Sequence, residues 1–219
     1  TKNPYHSDFE VINGQLYIIT EEKKKERINY TYSKLTDDGL KKLFDIKNIT
    51  WISDKKTVKD GMFLVTSQSY SDSVKGNQLL YVKDGRKIVI DKNYGYDIVG
   101  IINNKLCYYK NKYNYGTDDE NLKTFYLYDG KKSIKAFDLD LGFFEDITGY
   151  EYDGGLVIKV AYESLTRLYK YDGKDVLVLD TPEHFYSIMG LDIIDNKAYI
   201  KYSEGEESMV ALGTIIDLD

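Results

Sequence analysis

The chain has 219 residues, 42% of them hydrophobic, with 30 basic against 36 acidic side chains and a formal charge of −6. That balance allows a buried core and excludes a general nucleic-acid binder, which needs a basic face to displace counterions from phosphate. Two prolines and 17 glycines exclude a disordered or collagen-like chain, and no apolar run is long enough to span a bilayer.

Taken in order, the chain is a series of paired strand signals. Residues 8–12 and 15–20 flank Asn13-Gly14; residues 28–34 and 40–44 flank Asp37-Asp38-Gly39. Between them the run Lys23-Lys24-Lys25, set among Glu21, Glu22, Glu26 and Arg27, reads as a solvated loop. The second unit turns at Lys59-Asp60-Gly61, crosses a polar connection over 67–77, and turns again after Leu80-Tyr81-Val82-Lys83 at Asp84-Gly85. The third turns at Asn103-Asn104, carries a long connection over 110–122, and turns after Phe125-Tyr126-Leu127-Tyr128 at Asp129-Gly130. The fourth turns at Asp153-Gly154-Gly155 and, after Leu168-Tyr169-Lys170-Tyr171, at Asp172-Gly173. The fifth turns at Asp195-Asn196, crosses an acidic stretch over 203–208, and closes with a degenerate turn at Gly213 and a last strand over 214–218. Apolar alternation around Asp-Gly predicts hairpins with type I′ turns, because both central residues need positive φ.

The glycines at 39, 85, 130, 173 and 213 stand 46, 45, 43 and 40 residues apart. Two hairpins, or four short strands, per period of this length is the signature of a propeller blade. A sandwich or barrel would show short strands without repeating its turn chemistry in phase. The expected fold is all-β, a five-bladed β-propeller of four-stranded blades in a single domain over 1–219, with blades near 5–46, 49–90, 96–137, 144–179 and 186–217. No segment carries helical periodicity with caps.

In such blades the first-to-second and third-to-fourth turns share one end. The second-to-third connections and the links between blades share the other. Here the first set is uniformly tight and the second varies, so function is expected on the second. Two features recur there. Asp45, Asp91, Asp138, Asp180 and Asp217 close the fourth strands, where an aspartate bonding the backbone two residues on shapes a turn, or a ring of carboxylates surrounds a channel mouth. Tyr5, Trp51, Tyr96, Phe144 and Tyr186 stand near the first-strand starts, as packing between blades or as a stacking platform. The 22 tyrosines, many in Tyr-x-Tyr strands, are expected to pack between blades.

No catalytic constellation emerges. Phosphate loops, nucleophile elbows and metalloprotease helices are absent from the sequence. His6 and His184 would be neighbours in a closed ring, but two ligands do not make a metal site. Asp138-Leu139-Asp140-Leu141-Gly142 has the alternating carboxylates of a calcium loop without the rest of it, which leaves calcium as a weak candidate; no other cofactor is expected. Asp97 and Asp146, at neighbouring first-strand entries, would be the carboxylate pair of a sugar hydrolase. Cys107, the lone cysteine, reads as a small apolar strand residue.

The repeated Leu/Phe-Tyr-x-Tyr-Asp-Gly-Lys, with hairpins of the Asn-Asn-Lys-Leu and Asp-Asn-Lys-Ala kind, resembles bacterial exported propeller repeats similar to the TolB and low-density-lipoprotein-receptor-type families. The resemblance covers all five units on short motifs. The chain departs from it in lacking a Tyr-Trp-Thr-Asp signature, Trp-Asp repeat ends and the kelch Gly-Gly pairs beyond Gly154-Gly155. It implies an extracytoplasmic, cell-surface binding or scaffolding module of a bacterium, often part of a longer anchored chain. Thr1 is not a natural first residue, which fits a removed leader or anchor. The expected function is non-enzymatic recognition of a protein or glycan. Trp51, Tyr94, Tyr96, Tyr113 and Tyr115 would supply flat contact area, and Asp118, Asp119 and Glu120 polar specificity. A sugar-active enzyme or lectin-like binder, or a purely structural spacer, are the alternatives.

Overall fold

A computed structural model describes residues 6–12, 14–68, 73–112, 122–141, 146–162, 166–179, 187–203 and 211–219. Among them every regular element is a strand. The first sheet holds β1 (His6–Ile12), β2 (Gln15–Lys24), β3 (Arg27–Thr36) and β4 (Gly39–Ile49). The second holds β5 (Trp51–Val58), β6 (Gly61–Ser67), β7 (Gln78–Lys83) and β8 (Arg86–Lys92). The third holds β9 (Gly95–Ile102), β10 (Lys105–Asn111), β11 (Leu122–Tyr128) and β12 (Ser133–Asp140). The fourth holds β13 (Asp146–Tyr152), β14 (Gly155–Ala161), β15 (Thr166–Tyr171) and β16 (Val176–Val178). The fifth holds β17 (Ser187–Ile194), β18 (Lys197–Ser203) and β19 (Leu212–Asp217). Each sheet is a meander in chain order. Five meanders in series make the all-β, blade-by-blade arrangement of a β-propeller.

The fifth sheet corrects one expectation. The strand read as a fourth pairs with β18, from Lys197↔Asp217 to Tyr202↔Leu212, and is therefore the third. Gly213 lies opposite Lys201 inside it, not in a turn. The charged run of the first unit is also not a loop. β2 extends to Lys24 and β3 starts at Arg27, with Lys25 at φ 57 in a tight turn. Glu22 faces Asn29 and Lys23 faces Ile28, so these side chains decorate a strand ladder.

Turn chemistry divides in two. Asp84-Gly85 (φ 50 and 71), Asn103-Asn104 (49 and 61) and Asp195-Asn196 (48 and 56) have the positive φ pair of type I′. At Asp129-Gly130 and Asp172-Gly173 only the glycine has positive φ, at 92 and 93. There the aspartate Oδ1 accepts from two backbone amides, those of Lys131 and Lys132 at 2.9 Å and those of Lys174 and Asp175 at 2.8 Å. These amides, first in each case, hold both carboxyls below their ordinary range. The side chain does the work expected of the backbone.

Burial follows strand rank. β6, with Met62, Phe63, Leu64 and Val65, is buried throughout, and β10 and β14 are nearly so. The fourth strands β8 and β12 are largely exposed. Strands covered on both faces need continuous apolar runs, which is why an apolar pair follows the first turn of the second, third and fourth units. Each such fully buried side chain contributes roughly 1.5–3 kcal/mol relative to exposure.

The chain forms two compact units, residues 1–98 with 110–118 and residues 99–109 with 119–219. In the first, Ile19, Tyr32, Ile46, Ile49, Met62, Leu64, Leu80 and Val82 form one core between the first two sheets. In the second, Val99, Cys107, Phe125, Leu156, Ile158 and Tyr171 belong to one core and Val157, Leu168, Leu191, Ile200 and Leu218 to another. Cys107 is wholly buried, and burial pushes its thiol up to about 12.

Candidate functional site

The recurrent fourth-strand aspartates resolve into local ties. Asp45 accepts from Thr31 Oγ1 at 2.9 Å and from Lys42 at 2.8 Å; Asp138 accepts from Thr124 Oγ1 at 2.7 Å and from Lys135. Each threonine is the aspartate's register partner on the third strand, and each lysine stands three residues before it. Among the described members of the set only Asp217 bonds the amide two residues on, that of Asp219 at 3.1 Å. Asp180 lies outside the described residues. The Lys42 and Lys135 bonds, first in each case, hold Asp45 and Asp138 below the usual carboxylate range. With Asp138 so engaged, the calcium-loop motif gains no support, and among the described residues no cluster of three or more His, Cys, Asp or Glu could hold a metal. His184 and the His6 side chain are outside the described set. The two carboxylates marked for hydrolysis are each tied locally: Asp97 accepts from Asn111 Nδ2 at 2.7 Å, and Asp146 from Thr148 Oγ1 at 2.7 Å.

Of the eight residues expected at the site, Tyr113, Tyr115, Asp118, Asp119 and Glu120 lie outside the described residues. Trp51, Tyr94 and Tyr96 come to the same end of the second sheet in the first unit. Trp51 opens β5 opposite Ser67, and Thr50 N–H donates to Ser67 O at 2.7 Å. Arg27 reaches this end from the β2–β3 turn, donating to Thr50 Oγ1 at 3.1 Å and to Gln68 O. An asparagine latch fixes the link that carries Tyr94. Asn77 Oδ1 accepts from Gln68 N–H at 2.8 Å, and Asn93 N–H donates to Asn77 O at 2.9 Å. Asn93 Oδ1 then accepts from Gly76 N–H at 2.9 Å. Asn93 holds φ 69, a left-handed conformation that asparagine tolerates better than most residues.

On this base Tyr94 is 41% exposed and Tyr96 is buried beneath it, their rings edge-to-face at 6.3 Å and 69°. Lys110 Nζ lies 5.3 Å from the Tyr94 ring centroid and 2.5 Å from Asp91 Oδ2. An exposed aromatic, a cation against its face and a fixed backbone make a rigid patch of mixed character.

A second feature of the same unit had no signal in the sequence. A cleft of about 380 Å³ opens between the first two sheets, lined by Asp8, Ile19, Glu21, Tyr30, Tyr32, Ile52, Ser53, Asp54 and Lys55. A bulge at Ser53, between Ile52↔Thr66 and Asp54↔Val65, re-aims β5 at this point. Lys55 pairs with Glu10, and with Asp8 at 3.6 Å, while Thr57 Oγ1 donates to Glu10 Oε2 at 3.1 Å. Burial pulls the Lys55 ammonium down, but the Glu10 hydrogen bond and the charges of Glu10 and Asp8 outweigh it and leave it above an ordinary lysine. Asp54 accepts from the Ile98 amide at 2.9 Å and the Lys55 amide at 2.7 Å. Tyr32 stacks on Phe44 at 4.8 Å, is fully buried, and its hydroxyl has no hydrogen-bond partner among the described residues. Burial first, then the charges of Tyr30, Glu10 and Asp8, push its phenol well above the usual range.

The fold is shared with known structures. An acylaminoacyl peptidase from Pyrococcus horikoshii matches at TM-score 0.58 and 13% identity over 99% of this chain and 37% of its own. A prolyl endopeptidase from a structural and mechanistic study of two such enzymes matches at TM-score 0.52 and 12% identity, over 93% of this chain and 31% of its own. The β-propeller domain of a trilobed protease from Pyrococcus furiosus, described as an open velcro topology, matches at TM-score 0.46 and 13% identity over 97% of this chain and 81% of its own. The chain thus spans about a third of the length of the first two proteins. No family model matches the sequence, and no curated protein matches it. At such identities the likeness defines a class by fold alone: the chain is a β-propeller.

Proposed function

We propose that the chain is a non-enzymatic recognition module that binds a protein or a glycan through the irregular connections, acting outside the cytoplasm of a bacterium. The observation that carries this reading is Tyr94, exposed on a link held by Asn77 and Asn93, backed by Tyr96 and flanked by Lys110. Preorganised aromatics beside a charge are the residue types that dominate binding energy. Trp51 adds area at the same end, and Tyr113, Tyr115, Asp118, Asp119 and Glu120 remain candidates by sequence alone. The resemblance to TolB-like and lipoprotein-receptor-type exported repeats supports the extracytoplasmic setting.

Parallel glycan and peptide arrays, read with the wild type and Tyr94→Ala, test it. A ligand class whose binding falls at least about tenfold in the variant, with an unchanged melting temperature, supports the reading. Equal binding by both proteins overturns it. A second reading, a propeller domain of a longer peptidase-like protein, is favoured by the 99% overlap with part of the acylaminoacyl peptidase. A sugar-active module is the third, and product release on the glycan array would reveal it.

A further inference from the structure

We infer that the cleft between the first two sheets receives the side chain of a lysine or arginine from a peptide partner. Its lining residues are distinct from the Tyr94 patch, so the two readings stand separately. The volume, about 380 Å³, lies in the roughly 300–1,000 Å³ range of ligand sites. The lining holds three carboxylates, Asp8, Glu21 and Asp54, and one ammonium, Lys55, an excess of two negative charges among the described lining residues. Lys55 is already committed to Asp8 and Glu10, so the deficit calls for a cation from outside.

The rest of the lining suits a cation on an aliphatic stem. Ile19 and Ile52 offer apolar wall to the methylenes, and the Tyr30 ring offers an aromatic surface to the charged head. The Tyr32 hydroxyl is the independent pointer. A wholly buried phenol without a partner leaves polar capacity unused, and a ligand N–H donating to its oxygen would satisfy it. A neutral sugar would leave the charge unbalanced, and a free anion would worsen it.

The test uses the full chain and fluorescence anisotropy at physiological ionic strength. The probe is a labelled octapeptide of alternating basic residues and serine, against the same peptide carrying acetyl-lysine and citrulline. The basic peptide should bind and the neutralised one should be at least about tenfold weaker, the loss expected for a hydrogen bond to a charged group. Glu21→Gln and Asp8→Asn should each weaken binding several-fold. Tyr32→Phe should do the same with a melting temperature equal to or above the wild type, which separates loss of ligand from loss of fold. Asp175→Asn, on the fourth sheet's hairpin, should bind as the wild type does. Equal binding of both peptides, wild-type binding by Glu21→Gln and Tyr32→Phe, or an equal loss in Asp175→Asn would overturn the proposal. So would spermine binding with the same variant pattern while the peptide does not bind, since the cleft would then serve small free amines.

Discussion

Gly149→Ala is the sharpest probe of how the blades of the second unit pack. Gly149 sits in β13 opposite Ile158, and a Cβ built on it would lie 2.0 Å from the Val99 carbonyl oxygen and 2.7 Å from Val99 Cγ1. Ordinary contact begins at 3.4 Å, so β13 and β9 must part by about 1.4 Å to accept one methyl group. The obstacle is backbone, which cannot rotate away as a side chain would. Around it lie Val99, Leu156, Ile158 and Val160, all buried in one core, so the displacement opens gaps among close-packed neighbours. Overpacking costs about 1–3 kcal/mol, and a backbone obstacle places this change at about 3. For a chain of this length that is a fall of roughly 6–12 °C in melting temperature. Gly213→Ala is the control: in β19 the nearest atom to its new Cβ is Ile200 O at 3.8 Å, without a positive φ. It should gain about 0.4–1 kcal/mol by restricting the unfolded chain. Thermal unfolding by calorimetry and circular dichroism reads both, and a Gly149→Ala protein melting within a degree of the wild type would refute the close approach of β13 to β9.

Three further outcomes follow from the contacts described. Cys107 is buried with its thiol pushed up to about 12, so thiol reagents should label the native protein only at its unfolding rate, and rapid labelling at neutral pH would contradict that burial. The Asp129 and Asp172 carboxyls are held below their ordinary range, so their contribution is present above the unfolded carboxylate pKa and fades as pH falls through the folded one. The gap in melting temperature between the wild type and Asp129→Ala/Asp172→Ala should therefore be full at neutral pH and close in acid; a gap independent of pH would count against the carboxylate-to-amide bonds. Asn77→Ala removes the acceptor of the Gln68 amide and should cost about 1–3 kcal/mol, with faster amide exchange at Gln68. Unchanged exchange there would mean that the latch does not hold the link.

The meander order was legible because turn chemistry is local. Asp84-Gly85, Asn103-Asn104 and Asp195-Asn196 announce a turn with positive φ, and the apolar pair after the first turns of the second, third and fourth units announces a strand buried on both faces. What stayed hidden depends on partners distant in the chain. The recurring aspartates looked like turn formers, yet Asp45 and Asp138 are chosen by the threonine across the ladder, which no spacing along one strand reveals. Gly213 looked like a turn because glycine permits one, while its pairing with Lys201 decides otherwise. Of the site, Trp51, Tyr94 and Tyr96 were visible as aromatics beside strand starts. Asp54 and Lys55 carried no signal in the sequence, because the bulge at Ser53 that re-aims this part of the strand arises only when β5 pairs with β6.

The tips of the tight hairpins have a practical consequence. Gly14, Gly39, Gly130 and Gly154 have no atom within 4 Å of the position a side chain would take. Each is open country at the end of a short ladder. A fluorophore, affinity handle or grafted recognition loop inserted at the Gly14 or Gly39 tip would leave Arg27, at the opposite end of β3, undisturbed. The first sheet can thus be held by one end and interrogated at the other.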